Sequence, residues 1–132
     1  AFNKNELKGK DAFIYQRNEE GKEDKTVLIG YGGKDKNVKI PEGVETIYWN
    51  ALSNNTIKSI KLPSSIERLE YSSLSGNELE EIIIPANVMH LGEDLLSNNP
   101  IKRIVIESKK SLDEFNYVGE NWNSGCENII YK

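Results

Sequence analysis

A solenoid of stacked parallel strands is the fold that this 132-residue sequence predicts, on three observations. Pro41, Pro63 and Pro85 stand 22 residues apart, and three of the four prolines are thereby in register. Apolar side chains recur at the same interval at nearly every position between them. Each interval is too short to bury an apolar face alone, so a core forms only when neighbours stack.

Residues 1–37 fall outside the 22-residue register. Phe13-Ile14-Tyr15 and Thr26–Tyr31 read as two strands, joined by a polar link that contains Gly21. A hairpin here would cover the first unit, which otherwise exposes apolar surface and a strand edge. Gly30, Gly32 and Gly33 lack the Lys-Ser/Thr and the following helix of a phosphate loop, so they read as a turn.

Residues 38–106 carry the repeat. Val38, Ile60, Ile82 and Ile104 form one column, and Ile40, Leu62, Ile84 and Ile106 another. Val44, Ile66 and Val88 follow, then Ile47, Leu69 and Leu91, then Leu52, Leu74 and Leu96. Ile57, Leu79 and Ile101 close the unit. Alternation before each proline predicts a half-buried strand, and proline ends it because it has no N–H for the next ladder bond. The segments after proline space their apolar residues three to five apart, which predicts an irregular or short-helical return. Successive strands are then parallel and about 4.8 Å apart. Asn55, Asn77 and Asn99 precede the strands, where a side-chain amide can satisfy turn backbone or bond along the solenoid axis. About four repeats result.

Past Ile106 the register breaks at Glu107. Leu112, Phe115 and Val118, three apart, predict a short helix over the last strand. Trp122 and Ile129–Tyr131 would add a strand and complete a C-terminal cap over 107–132. The whole chain reads as one domain.

The unit Ile60-Lys61-Leu62-Pro63-Ser64-Ser65-Ile66-Glu67-Arg68-Leu69, followed by Leu74, Asn77 and Leu79, resembles the BspA-type leucine-rich repeat. The resemblance is close over 38–106 and implies a leucine-rich-repeat solenoid, with a short parallel sheet on one face between an N-terminal hairpin cap and a C-terminal cap. Ala51-Leu52, Ser73-Leu74 and Leu95-Leu96 stand where the family usually has Ala-Phe. Asn55, Asn77 and Asn99 stand where it often has Cys. The resemblance implies a secreted or cell-surface bacterial protein that binds a protein partner, for instance a host extracellular or surface protein, or mediates adhesion. A glycan is the second ligand class. No catalytic residue comes with the motif.

Composition narrows function further. Seventeen basic against 21 acidic side chains give a formal charge of −4, spread along the chain, which argues against nucleic acid as a partner. No apolar run approaches the roughly 18 residues of a membrane span, so no membrane insertion is expected. The start at Ala1 suggests a trimmed or mature fragment. Cys126 and His90 are the sole residues of their kinds, so neither an internal disulfide nor a multi-cysteine zinc site can form. They lack the flanking signature of a thiol protease, and His90 reads as a solvated convex residue. Glu19-Glu20 and Glu80-Glu81 read as solvated faces, not acid–base pairs. No Asp-rich calcium loop is present. Neither an enzyme nor a cofactor or metal is expected.

Two candidate surfaces remain. Strand residues between the buried columns point outward and form two ladders. One is Asn37, Ser59, Glu81 and Arg103; the other is Lys39, Lys61, Ile83 and Val105. Ile83 and Val105 replace lysine with apolar side chains, which reads as a small exposed contact patch, or else as a surface that the C-terminal cap folds over or a β-branched preference of the strand. The alternative is an aromatic cluster of Tyr48, Trp49 and Tyr71 on the return side, suited to stacking on a sugar or anchoring a protein. The leading expectation is a non-enzymatic binding module; the second is a targeting or spacer domain of a larger surface enzyme.

Overall fold

The computed structural model describes residues 12–108 and 111–132. The chain coils as a solenoid whose turns each place one strand on each of two faces. The first face carries β3 (Asn37–Lys39), β5 (Ser59–Lys61), β7 (Glu81–Ile84), β9 (Arg103–Ile106) and β11 (Ile129–Tyr131). The second carries β2 (Glu23–Tyr31), β4 (Thr46–Ile47), β6 (Arg68–Leu69), β8 (His90–Leu91) and β10 (Tyr117–Val118). Pairing within the repeats is parallel and keeps the 22-residue register: Ser59 lies beside Asn37, Leu69 beside Ile47, and Ile104 beside Ile82.

Alternation explains the first face. In β7, Ile82 and Ile84 point inward and are buried, while Glu81 and Ile83 point outward. The ladder on this face is interrupted between β5 and β7, which lie side by side without pairing, so β3–β5 and β7–β9–β11 form separate sheets. On the second face the sheet is continuous in the order β1-β2-β4-β6-β8-β10, where β1 is Phe13–Arg17.

That second sheet gives the form that the expected irregular or short-helical returns take. The returns are not short helices but pairs of strand residues, each laddered to the turns above and below. The spacing of Val44, Ile47 and Leu52 mimics a helical stripe because the chain turns corners between them, so all three point to one core. Val44, Ile47, Leu52, Ile66, Leu69, Leu74, Val88, Leu91 and Leu96 are all fully buried. Burial of each such side chain contributes roughly 1.5–3 kcal/mol.

The corners use left-handed backbone at two fixed places per turn. Asn50, Ser72, Asp94 and Asn121 have φ between 52° and 57°. Asn54, Gly76, Asn98 and Gly125 have φ of 56°, 69°, 60° and 79°. Glycine, asparagine and aspartate enter this region at low cost, and the β-branched Thr56 is also held there, at φ 54°.

At the N-terminal end, β1 (Phe13–Arg17) pairs antiparallel with β2, and β2 pairs parallel with β4. The hairpin thus extends the second sheet, with Leu28 in the core and Phe13 packed on Tyr31. At the other end the expected helix is absent. Leu112–Glu114 forms one 3-10 turn, and Val118 lies instead in β10, exposed. Tyr117 and Val118 pair with His90 and Leu91, 27 residues back, so this turn holds five additional residues. Phe115 and Trp122 bury under it.

Candidate functional site

The asparagine column proves to be structural wiring. Asn77 Oδ1 accepts the backbone N–H groups of Asn55 (2.9 Å) and Ile57 (3.1 Å). Its Nδ2 donates to the carbonyls of Leu52 (3.0 Å), Leu74 (2.9 Å) and Ser75 (3.3 Å). Asn99 repeats the pattern one turn on, accepting from Leu79 N–H at 3.0 Å and donating to Leu74 at 2.9 Å. The amides therefore bridge to the main chain of the preceding turn. In the last turn the 27-residue offset places Cys126, buried and free, at the corresponding position.

His90 is not a solvated residue. It is largely buried, with Nε2 3.2 Å from a Glu70 carboxylate oxygen and its ring stacked on Tyr117 at a centroid distance of 4.8 Å. Burial pushes its pKa below the ordinary 6.5, and the nearby Arg68 guanidinium adds to this; attraction to Glu70 opposes both without reversing the shift. The neutral imidazole is thus favoured by the fold. As pH falls below 6.5 the unfolded chain takes up a proton before the native state does, so stability should fall with it. Urea midpoints at pH 7.5 and 5.5 should show this decline, and H90Q should flatten it. An equal decline in both proteins would remove His90 as its source. His90 faces outward from the second sheet whereas Cys126 sits in the core of a corner, so the two form no catalytic pair.

On the first face the outward ladders are largely self-satisfied. Ser59 Oγ donates to Asn37 Oδ1 at 2.6 Å, Arg103 pairs with Glu81, and Lys102 Nζ lies 2.9 Å from a Glu80 oxygen. The Lys102 ammonium holds the Glu80 carboxyl below its usual value. Glu80 and Glu81 are therefore partners of cations, not of each other. Lys39 and Lys61 are exposed. Ile83 is 47% exposed, but Val105 is only 4% exposed and must be removed from the expected patch. Val105 stands in register between Ile83 and Ile130, so the addition of β11 encloses it. A cleft of about 550 Å³, lined by Lys39, Ile60, Lys61, Leu62, Ile83 and Glu107, lies where the sheet is interrupted.

The second face gathers more than the sequence indicated. Tyr48, Trp49 and Tyr71 are 46%, 57% and 43% exposed. Tyr48 stacks on Trp49 at 5.8 Å, and Trp49 tilts against Tyr71 at 6.1 Å. The row continues across Gly92 to Tyr117, whose hydroxyl donates to Glu93 Oε1 at 2.6 Å. This bond is the main cause that raises the Tyr117 pKa. Trp49, Tyr71, His90, Gly92, Glu93 and Tyr117 enclose a cleft of about 420 Å³. Sequence reasoning missed Tyr117 and His90 as neighbours of these rings because the five-residue insertion hides their register. The repeated glycine, Gly92 and then Gly119, was the available signal: at both, the preceding turn's backbone comes too close for a Cβ.

Among the described residues no cluster of three His, Cys, Asp or Glu side chains could hold a metal. No helix among them is long and apolar enough to cross a membrane.

Comparison with known proteins agrees with this architecture. The BspA type leucine rich repeat region matches in six copies over residues 33–130. A leucine rich cell surface protein from Faecalibacterium prausnitzii is similar in structure, with TM-score 0.53 and 29% identity over 60% of this chain. The pneumococcal vaccine antigen PcpA aligns over 83% of this chain at 22% identity, with TM-score 0.47. The chain spans 22% and 34% of the length of those two structures. No curated protein matches. The side-by-side ladders, the 22-residue register and the matched repeats establish one conclusion: the chain belongs to the BspA-type leucine-rich repeat family.

Proposed function

We propose that this chain is a non-enzymatic module of a bacterial cell-surface protein, and that it binds a protein partner through the aromatic row of its second sheet. One observation carries the reading: Tyr48, Trp49, Tyr71 and Tyr117 lie exposed and adjacent on a rigid ladder. Packing does not call for these rings, because the next two turns carry Glu93 and Glu120 where Trp49 and Tyr71 stand. Aromatic side chains held in place lose little entropy on binding and dominate interface energetics. The face of Lys39, Ser59, Lys61, Glu81, Ile83, Arg103 and Val105 is the weaker candidate, since its charges already pair and Val105 is enclosed. The hairpin and the last turn act, in this reading, as caps that close the two ends of the core.

The test is binding of the immobilised chain to a panel of purified extracellular proteins. Replacing Tyr48, Trp49 and Tyr71 together with alanine should abolish any specific binding while leaving the melting temperature within a few degrees. A K39E/K61E variant should bind as the parent does. Loss with the lysine variant alone would transfer the function to the first face.

A further inference from the structure

The second face is acidic as well as aromatic. Glu45, Glu67, Glu70, Glu93 and Glu120 lie on β4, β6, β8 and β10 and their flanks, where Arg68 is the one lysine or arginine among the described residues; Arg17 and Lys25 stand apart, on β1 and β2 at the N-terminal end of the sheet. Arg68 is already committed, with its Nε 2.8 Å from Glu70. Glu70 also lines the cleft, but its two oxygens are already engaged, one by Arg68 and the other by His90. Glu93 differs. It is exposed, its Oε1 takes the Tyr117 hydroxyl, and Oε2 is left to meet a ligand. Gly92 contributes no side chain to the floor, which leaves about 420 Å³ between the Trp49 and Tyr71 rings on one side and Tyr117 on the other.

Aromatic faces carry negative quadrupole density, and tryptophan attracts a cation more strongly than tyrosine does. A carboxylate beside them adds a hydrogen-bond acceptor and a full charge. Guanidinium matches both features, since its plane stacks on a ring while its edge donates to a carboxylate. We propose that the cleft between Trp49, Tyr71, Glu93 and Tyr117 seats an arginine side chain from a basic segment of the protein partner. The proposal rests on the aromatic row being the contact face, and it adds the chemistry of what that face recognises. A neutral sugar would stack on the rings and donate a hydroxyl to Glu93, but it brings no positive charge to balance the surrounding carboxylates, so charge complementarity favours the basic peptide.

The experiment titrates the whole chain with a hexapeptide of alternating arginine and glycine, its glutamate counterpart, and chitohexaose. The Trp49 indole resonance is followed, with buried Trp122 as the internal reference. The arginine peptide should shift Trp49 and saturate, and the glutamate peptide should not. E93Q, read on the Trp49 resonance, and W49A, read by calorimetric titration, should each weaken binding by about 3- to 10-fold, the range of one cation–π or charge contact. Equal affinity for both peptides, binding indifferent to E93Q, or saturation by chitohexaose alone would overturn the proposal. Failure here is separable from failure of the function itself. If the triple aromatic variant loses its protein partner while the arginine peptide is silent, the cationic reading falls and the contact face stands. If that variant keeps its partner and the peptide is silent, both fall.

Discussion

Replacing Asn77 with alanine is expected to lower stability by about 2–4 kcal/mol, read as a drop in the urea midpoint at constant slope. The side chain is 5% exposed and serves two backbone donors and three carbonyls spread over two turns. Alanine strands the Asn55 and Ile57 N–H groups and the Leu52 carbonyl, while Leu74 keeps the Asn99 amide and Ser75 keeps the Asn54 N–H; a buried unsatisfied group costs about 1–3 kcal/mol. The same substitution at Asn55 should cost less than about 1 kcal/mol. Asn55 is half-buried, and its amide donates to the carbonyl of Ser53 two residues away. Equal losses at the two positions would show that the amide bridge between turns is not what stabilises the corner.

Gly92→Ala should be of similar severity for a steric reason. A Cβ at Gly92 would lie 2.4 Å from the carbonyl carbon of Glu70 and 2.5 Å from the amide nitrogen of Tyr71. Both obstacles are main chain of the preceding turn, so no rotamer relieves the contact. The Gly92 N–H, which donates to the Leu69 carbonyl at 2.7 Å, would be drawn from its acceptor. We expect a loss of about 3 kcal/mol, at the upper end of overpacking costs. A change in Trp49 fluorescence should accompany it as the aromatic row separates. Gly43→Ala is the control: nothing lies within 4 Å of its Cβ, but φ is +101°, so backbone strain alone should cost about 1–2 kcal/mol. A Gly92 variant no less stable than the Gly43 variant would refute the close-approach argument.

The two positions also differ in how they could be seen beforehand. Asn77 belongs to a column that repeats every 22 residues, so its importance at a corner was readable, although not which backbone groups it would satisfy. Gly92 replaces Glu70 in its column, and its recurrence as Gly119 is masked by the five additional residues between them. Val105 shows the limit on the first face. Its outward direction followed from strand alternation, but its burial depends on Ile130, which a 25-residue offset brings alongside. His90 shows it on the second: an outward position in β8, yet enclosed by Glu70 and Tyr117 from the turns on either side.

The solenoid, its repeat length, its parallel register and its buried columns were all legible in the amino-acid order. Each of these follows from a periodic signal, and stacked repeats convert period directly into contact. The amino-acid order also marked the Tyr48, Trp49 and Tyr71 rings, because they break the period. The tertiary structure alone decided that the returns are a second sheet, that the last turn carries five additional residues, and that Tyr117, His90 and Glu93 complete a cleft with those rings. The physical reason is that lateral neighbours in a solenoid lie a full turn apart in sequence. An insertion there changes which side chains meet while leaving every local pattern intact.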